Sequence, residues 1–214
     1  MKYSHESPFY HLTEMRGEGP SYPSYYFRFK IKNEGKLQAE QCEAVLEKIW
    51  EKDAGGNLIE DKIFSPTSLT WAGTKETHLT IQPEREIFCD IGHIHHPTRE
   101  ERSVYYSNDR SLDANDRLYG FRHTGFSNTI TNSFSSPGAN PSNLSKEDNR
   151  KSNFFFEFSQ RFHAYRDCLL PGKYQIEIAV YSANSKRTSK RFKIYWSGNW
   201  KDDESEMLSE VVIS

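Results

Sequence analysis

Residues 169–196 read LLPGKYQIEIAVYSANSKRTSKRFKIYW, and this stretch decides the fold class. Apolar side chains recur at every second position over residues 174–180 and again over residues 192–196. A period of two is typical of a β-strand with one buried face. The polar residues 182–185 between the two segments favour a turn. The stretch therefore predicts an antiparallel β-hairpin that follows a Pro-Gly turn.

The same alternation recurs along the chain, in residues 27–31, 78–81, 87–91 and 154–158. Residues 53–57 are rich in glycine and asparagine and predict a further hairpin, and a change of parity near Glu40-Gln41 predicts a β-bulge. No segment of the main body carries the apolar stripe of a long helix. About seven or eight short strands with antiparallel connections predict an all-β fold. We expect an immunoglobulin-like antiparallel β-sandwich with a long polar insertion between strands.

Tyr174 follows the Pro-Gly turn and shares the parity of the buried residues. This placement resembles the tyrosine corner of Greek-key sandwiches, in which a buried phenol hydrogen-bonds a nearby main-chain group. The expected partner lies near residues 166–170. The alternative is a core tyrosine that simply follows a turn.

Two segments carry a resemblance to a known group of proteins. YQIEIAVYSAN at residues 174–184 is similar to the penultimate strand of prokaryotic immunoglobulin-like and fibronectin-like modules, and FRFKIKNEG at residues 27–35 is similar to their opening strand. The resemblance covers residues 25–50, 78–91 and 169–196. It implies the sandwich fold and an adhesive, scaffolding or carbohydrate-binding role, and it carries over no functional residue.

The length of 214 residues predicts one domain, residues 1–214. We expect its core strands within residues 25–96 and 153–197, an insertion at residues 97–152 and a C-terminal tail at residues 198–214. The insertion is poor in aliphatic residues and rich in Ser, Asn, Asp and Gly. Its later part, residues 127–152, has the composition of a mobile loop, and residues 111–118 predict a short helix.

Composition excludes several classes of protein. The 28 Lys and Arg residues nearly balance the 30 Asp and Glu residues, so no global field favours nucleic acid or an acidic membrane. The three cysteines lie in or beside apolar runs, which predicts buried thiols. No leader peptide or membrane span is visible, so we expect a cytoplasmic protein, although a removed anchor would leave no trace in this sequence.

The densest group of ionisable side chains is Asp90-Ile91-Gly92-His93-Ile94-His95-His96. On an extended backbone His93 and His95 point to one side, and with His96, His78 or Asp90 they would form a zinc-type site. The alternative is a solvated strand end. Because no Cys or Glu stands at a metal-motif spacing, and the loop at Asp109 lacks the Gly and Glu of a calcium site, we expect no bound metal and no cofactor.

Outward-facing basic residues raise the question of nucleic acid. Arg28, Lys30 and Lys32 lie on one strand, and five more Lys and Arg crowd residues 186–193. Exposed sheets also use such residues to prevent edge pairing, so we expect no nucleic-acid binding.

The sequence contains no G-x-S-x-G, no phosphate-binding glycine loop and no H-E-x-x-H. We therefore expect a non-enzymatic module that binds another protein through the insertion and the adjoining strand ends. The expected contacts are Tyr105, Tyr106, Tyr119, Phe121 and Trp200, because tyrosines beside Ser and Asn suit an adaptable interface. The alternatives are a carbohydrate-binding module that uses exposed aromatic residues such as Trp200, and a metal-dependent hydrolase that uses residues 93–96.

Overall fold

A computed structural model of the chain describes residues 1–15, 22–74, 76–97, 152–159 and 167–214. Two antiparallel sheets pack face to face in this part of the chain, which confirms an all-β sandwich. Helix α1 spans Glu204–Glu210. The strands are β1 Tyr10–Met15, β2 Tyr22–Lys32, β3 Ala39–Lys52, β4 Leu58–Glu60, β5 Thr67–Ser68, β6 Thr70–Trp71, β7 Leu79–Ile81, β8 Glu86–His95, β9 Phe154–Phe156, β10 Cys168–Leu169, β11 Gly172–Ser182, β12 Ser185–Trp196 and β13 Val211–Ile213.

The two sheets contain strands from distant parts of the chain. The first sheet has the order β1-β2-β8-β9-β10, and β6 also pairs with β8. The second sheet has the order β13-β12-β11-β3-β4, and β5 and β7 also pair with β3. The chain passes from one sheet to the other after β2, so the long antiparallel pairings of β2 with β8 and of β3 with β11 lie in opposite layers.

The core lies between the sheets and consists of the side chains that the alternation predicts to be inward. Phe27 and Phe29 of β2 face Ile176 of β11 and Phe192 of β12 across this core, and all four are at most 1% exposed. Burying a side chain of this size contributes about 1.5–3 kcal/mol, so these alternating positions dominate the stability of the sandwich.

The predicted turns are confirmed. Residues 53–57 connect β3 to β4, with the Asn57 N–H donating to Asp53 Oδ1 at 2.7 Å. The predicted bulge lies where the β3–β7 register shifts between Ala39 and Cys42, and Gln41 there has a φ of 50°. Residues 182–185 close the β11–β12 hairpin.

Both ends of the chain extend the sheets beyond the expected core ranges. Strand β1 precedes the expected core range, which begins at residue 25, and it pairs with β2. Residues 198–214, expected as a tail, contain α1 and β13, and β13 pairs with β12. Asp203 caps α1 by accepting the Ser205 and Glu206 N–H groups, and Met207 is fully buried. The helix is therefore held by its N-cap and by the packing of Met207 in the core.

Tyr174 is buried at the start of β11, and its ring lies over Gly172. Its main-chain hydrogen bond stays a prediction. All three cysteines are buried, as the sequence predicts. The predicted helix at residues 111–118 and the predicted loop at residues 127–152 lie outside the described residues, apart from Ser152.

Candidate functional site

Strand β8 contains a β-bulge that the sequence analysis did not anticipate. In the pairing with β2, Phe27 lies opposite Gly92, whereas the next residue, Arg28, lies opposite Asp90. Ile91 is therefore an extra residue on β8. Because side chains alternate along a strand, one extra residue moves all later side chains to the other face of the sheet.

The bulge decides where the histidines lie. Cys89 before it, Ile91 within it and Ile94 after it belong to the core, so His93 and His95 lie on the outer face of the first sheet. The two imidazoles share one side of the strand, with ring centroids 5.6 Å apart. Both are nevertheless buried, with 4% and 6% of their surface exposed. The solvated strand end expected from the sequence is therefore wrong for these two residues.

The close approach of β9 requires glycine at position 92, next to the bulge. A Cβ atom there would lie within 3.0 Å of the Phe155 carbonyl oxygen and of the Phe154 ring. Real side chains do not approach backbone this closely, so any other residue would push β9 away from β8. The absence of a side chain at Gly92 thus allows β9 to lie close enough to β8 to cover the histidines.

Five rings stack across the outer face of β1, β2, β8 and β9. We call this row the histidine ladder; its members are His11, Tyr26, His93, Phe155 and His95. The ring centroids are 5.4 Å apart for His11 and Tyr26, and 5.2 Å apart for Tyr26 and His93. Phe155 stacks on both remaining imidazoles, at 5.5 Å from His93 and 4.7 Å from His95. Since Tyr26 and Phe155 lie on the two strands that flank β8, they enclose His93 between them.

Three charged or ionisable side chains, Glu157, Arg28 and Asp90, accompany the ladder. His93 Nδ1 lies 2.5 Å from Glu157 Oε1, and Arg28 Nε lies 3.3 Å from Asp90 Oδ1. Burial raises the pKa of Asp90 to about 6, although Arg28 opposes this, and the nearby Glu157 adds to the increase. The Glu157 carboxylate holds the His93 imidazole in one orientation. Together with the stacking, this arrangement favours a structural role for His93.

The residues proposed as additional metal ligands have other contacts. His78 Nε2 lies 3.6 Å from Glu43 Oε2, Asp90 pairs with Arg28, and His96 packs edge-on against Trp200. Among the residues that the structure describes, no group of three or more His, Cys, Asp or Glu side chains is arranged to hold a metal ion. The absence of a metal or cofactor stays a prediction.

Most of the basic residues considered for nucleic acid are paired with carboxylates, and Lys186, Lys190 and Lys193 are the exceptions among the described pairs. On β2, Lys30 pairs with Glu86 at 2.9 Å and Lys32 pairs with Glu84 at 2.5 Å. On the outer face of the second sheet, four residues form what we call the arginine network: Glu47, Glu177, Arg187 and Arg191. Because these cations already have counter-charges, they contribute little free positive potential for phosphates.

Trp200 lies in the interior and does not form the exposed anchor expected from the sequence. It is 2% exposed, its indole N–H donates to Asp202 Oδ1 at 3.0 Å, and its ring contacts Tyr25 at 5.2 Å. The physical reason is that α1 and β13 fold back and close the end of the sandwich over it. Trp200 therefore does not supply an aromatic platform for the carbohydrate-binding alternative.

An open groove of about 430 Å³ lies on the outer face of the second sheet. We call it the lysine groove and define it by the side chains that line it on β3, β4, β11, β12 and β13, which include Lys52, Leu58, Lys173, Gln175, Lys193, Tyr195 and Val212. Sequence reasoning missed this site. The outward parity of Lys173, Lys193 and Tyr195 on the hairpin is a usable signal, but only the β3–β11 pairing adds Lys52.

The two ends of the insertion emerge close to the end of the sandwich that carries this groove. Ser152 donates its N–H to Gly198 O at 2.9 Å and accepts the Trp196 indole N–H at 2.8 Å. Trp196 is the neighbour of Tyr195, which lines the groove. On the other side of the insertion, His96 contacts Trp200. The expected contacts Tyr105, Tyr106, Tyr119 and Phe121 themselves lie outside the described residues.

In comparisons with known proteins, no family model, no curated protein and no solved structure matches the chain. Over the described residues, none of the helical structure has the length and apolar character that crossing a bilayer requires.

Proposed function

We propose that this protein is a non-enzymatic recognition module of the immunoglobulin-like class that binds another protein. The binding surface is the end of the sandwich that carries the lysine groove and the two strand ends next to the insertion. The observation that supports this proposal is the groove itself, because it combines exposed apolar and cationic side chains on a rigid sheet.

The strand order supports the immunoglobulin-like assignment. In immunoglobulin sandwiches the first two strands and the fifth lie side by side in one sheet, and the last two strands pair with the third in the other. Here β1, β2 and β8 are adjacent in the first sheet, and β12, β11, β3 and β4 follow one another in the second. Tyr174 lies at the start of β11, the strand that carries the tyrosine corner in that topology.

The position of the insertion supports a combined surface. Its flanking residues His96 and Ser152 lie at the end of the sandwich where Tyr195 lines the groove. A rigid sheet that presents a groove beside a polar, tyrosine-containing segment is a common arrangement for recognition. Tyr105, Tyr106, Tyr119 and Phe121 are accordingly part of the proposed contact surface.

Site-specific photo-cross-linking tests the proposal. A benzoylphenylalanine at position 195 reports on the groove, and one at position 181 is a matched control because Tyr195 and Tyr181 are 38% and 39% exposed on the same sheet face. We expect a protein from the native host to cross-link at position 195 and not at position 181, and then to bind the purified wild type more tightly than Tyr195→Ala. Equal labelling at both positions, or unchanged affinity of Tyr195→Ala, would contradict the proposed surface.

Deletion of residues 99–152 tests the contribution of the insertion separately. If the deleted protein keeps its β-sheet circular dichroism and binds the same partner with unchanged affinity, the insertion does not take part in recognition.

A further inference from the structure

We propose that the lysine groove binds a short acidic segment of the partner polypeptide in an extended conformation. This inference rests on the proposed function and names the chemistry of the partner at the same site. It is carried by three features of the groove: its net positive charge, the limited extent of that charge and its apolar walls.

The groove carries a net positive charge within the described part of the chain. Lys52, Lys173 and Lys193 line it, all three are exposed, and no Asp or Glu side chain is among its lining residues. Ser214 also lines the groove beside Lys193, and a carboxylate there balances at most one of the three charges. The described structure gives none of these lysines an ion pair, although most other basic residues of this face have one. An acidic ligand would supply the missing counter-charge.

The strand register brings two of these lysines together. The pairing of β3 with β11 ends at Glu51 and Tyr174, and the next residue of each strand, Lys52 and Lys173, lines the groove. Like charges close together on one face of a sheet repel each other, and a local conflict of this kind is typical of functional positions. A carboxylate placed between the two ammonium groups would remove the repulsion.

The positive charge ends at the border of the groove. Immediately beyond it, Lys48 pairs with Glu60 at 3.2 Å, and Arg191 pairs with Glu177 at 2.9 Å. A long polyanion such as a nucleic acid needs a continuous basic track, and the paired residues interrupt that track. The extent of free charge therefore fits a few acidic side chains rather than a phosphate backbone.

The walls of the groove are apolar. Leu58, Val212 and Tyr195 are 47%, 42% and 38% exposed, and Lys173 Nζ lies 5.9 Å from the Tyr195 ring. An extended peptide presents every second side chain to the surface below it. Acidic side chains would reach the lysines while apolar side chains of the same segment cover Leu58 and Val212, which a sulfated sugar would leave exposed.

Peptide binding to the 214-residue protein tests the inference. The probes are a labelled acidic peptide, EVEYEVEY, and its neutral counterpart, QVQYQVQY, compared by fluorescence anisotropy. We expect the acidic peptide to bind at least about tenfold more tightly than the neutral one, with an affinity that falls as salt is added. Equal affinities for the two peptides would overturn the inference.

Charge-reversal variants locate the binding. The triple variant Lys52→Glu, Lys173→Glu, Lys193→Glu should weaken acidic-peptide binding by about tenfold or more. The matched control is Lys36→Glu, Lys62→Glu, Lys186→Glu, which changes the net charge equally at three exposed lysines outside the groove. If the control weakens binding as much as the groove variant, the effect is global charge and the inference is wrong. Should the groove variant misfold by circular dichroism, the milder triple Lys→Gln variant at the same positions replaces it.

Two further outcomes are decisive. If a short duplex DNA or a heparin fragment competes at the groove and binds more tightly than the acidic peptide, the partner is not an acidic peptide. If a partner cross-links specifically at position 195 while the acidic peptide fails to bind, the inference fails and the proposed function stands.

Discussion

The histidine ladder on the outer face of the first sheet and the end of β12 on the outer face of the second follow the same alternation but have opposite environments. On the first sheet the outward residues His93, His95 and Phe155 are buried. On the second sheet the outward residues Arg191, Lys193 and Tyr195 are exposed. An outward position in the strand pattern therefore does not define a solvated surface.

The pKa values of the carboxylates on the two sheets differ in the same way. Burial raises the pKa of Asp90 on the first sheet to about 6, even with Arg28 beside it. On the second sheet, the hydrogen bond from Arg191 holds the pKa of Glu177 below its usual value, and the hydrogen bond from Arg187 does the same for Glu47. Desolvation prevails on the covered face, and charge pairing prevails on the open one.

The largest loss of stability is expected when a side chain is added at Gly92, next to the bulge of the first sheet. Gly92→Ala should destabilise the fold by about 3 kcal/mol or more, because the new methyl group meets backbone and ring atoms of β9 that have no free space to move into. Chemical denaturation measures the effect. Gly35→Ala is the control, since its methyl group would meet mainly the flexible Asn33 side chain in a turn. A Gly92→Ala protein as stable as Gly35→Ala would show that β9 does not cover the histidines.

The second-largest loss of stability is expected at Tyr174, which lies in the core between the two sheets. Tyr174→Phe should cost about 1–3 kcal/mol, because a buried main-chain group near residues 166–170 loses its hydrogen-bond partner. Denaturant unfolding monitored by tryptophan fluorescence measures it. Unchanged stability would mean that Tyr174 is a core tyrosine without a corner.

The two faces should respond to pH with opposite signs. The folded-state pKa of Asp90 is raised, so its contribution to the free energy of unfolding is greatest below its usual pKa of 3.8 and decreases as the pH rises to about 6. The change amounts to at most about 3 kcal/mol. The folded-state pKa of Glu177 is lowered, so its contribution is present above its usual pKa of 4.5 and is lost as the pH falls.

Stability curves between about pH 3.5 and pH 7, a range that contains the titration of Asp90 and begins below the usual pKa of Glu177, separate the two residues. Relative to wild type, Asp90→Asn should gain stability as the pH rises, whereas Glu177→Gln should lose stability over the same range, by less than about 1 kcal/mol because its pairs are largely solvated. Parallel curves for the two variants would contradict the contrast between the faces.

No effect is expected on metal content. Elemental analysis of the purified protein should find no stoichiometric zinc, nickel or calcium, and His93→Ala with His95→Ala should leave the result unchanged, because stacking and Glu157 already engage these imidazoles. One equivalent of metal that disappears in this double variant would revive the hydrolase alternative.

Much of the fold follows from local pattern. The alternation of residues 174–180 and 192–196 predicted the β11–β12 hairpin, because a period of two is a property of each strand alone. The parity change before Cys42 likewise predicted the bulge in β3. The weak alternation of residues 10–15 and the short C-terminal segment carried no comparable signal, so β1 and β13 were outside the expected core.

The sequence by itself determined which side chains alternate, where the turns lie and that the cysteines are buried, since these depend on neighbours along the chain. Only the tertiary structure decided that His93 and His95 lie on the outer face, because the bulge depends on how β8 pairs with β2. It also decided that Trp200 is covered, and that Lys52, Lys173 and Lys193 share one groove. Each of these outcomes requires strands far apart in sequence to become neighbours, and the pairing energy that selects those neighbours is a property of the whole sandwich rather than of any one strand.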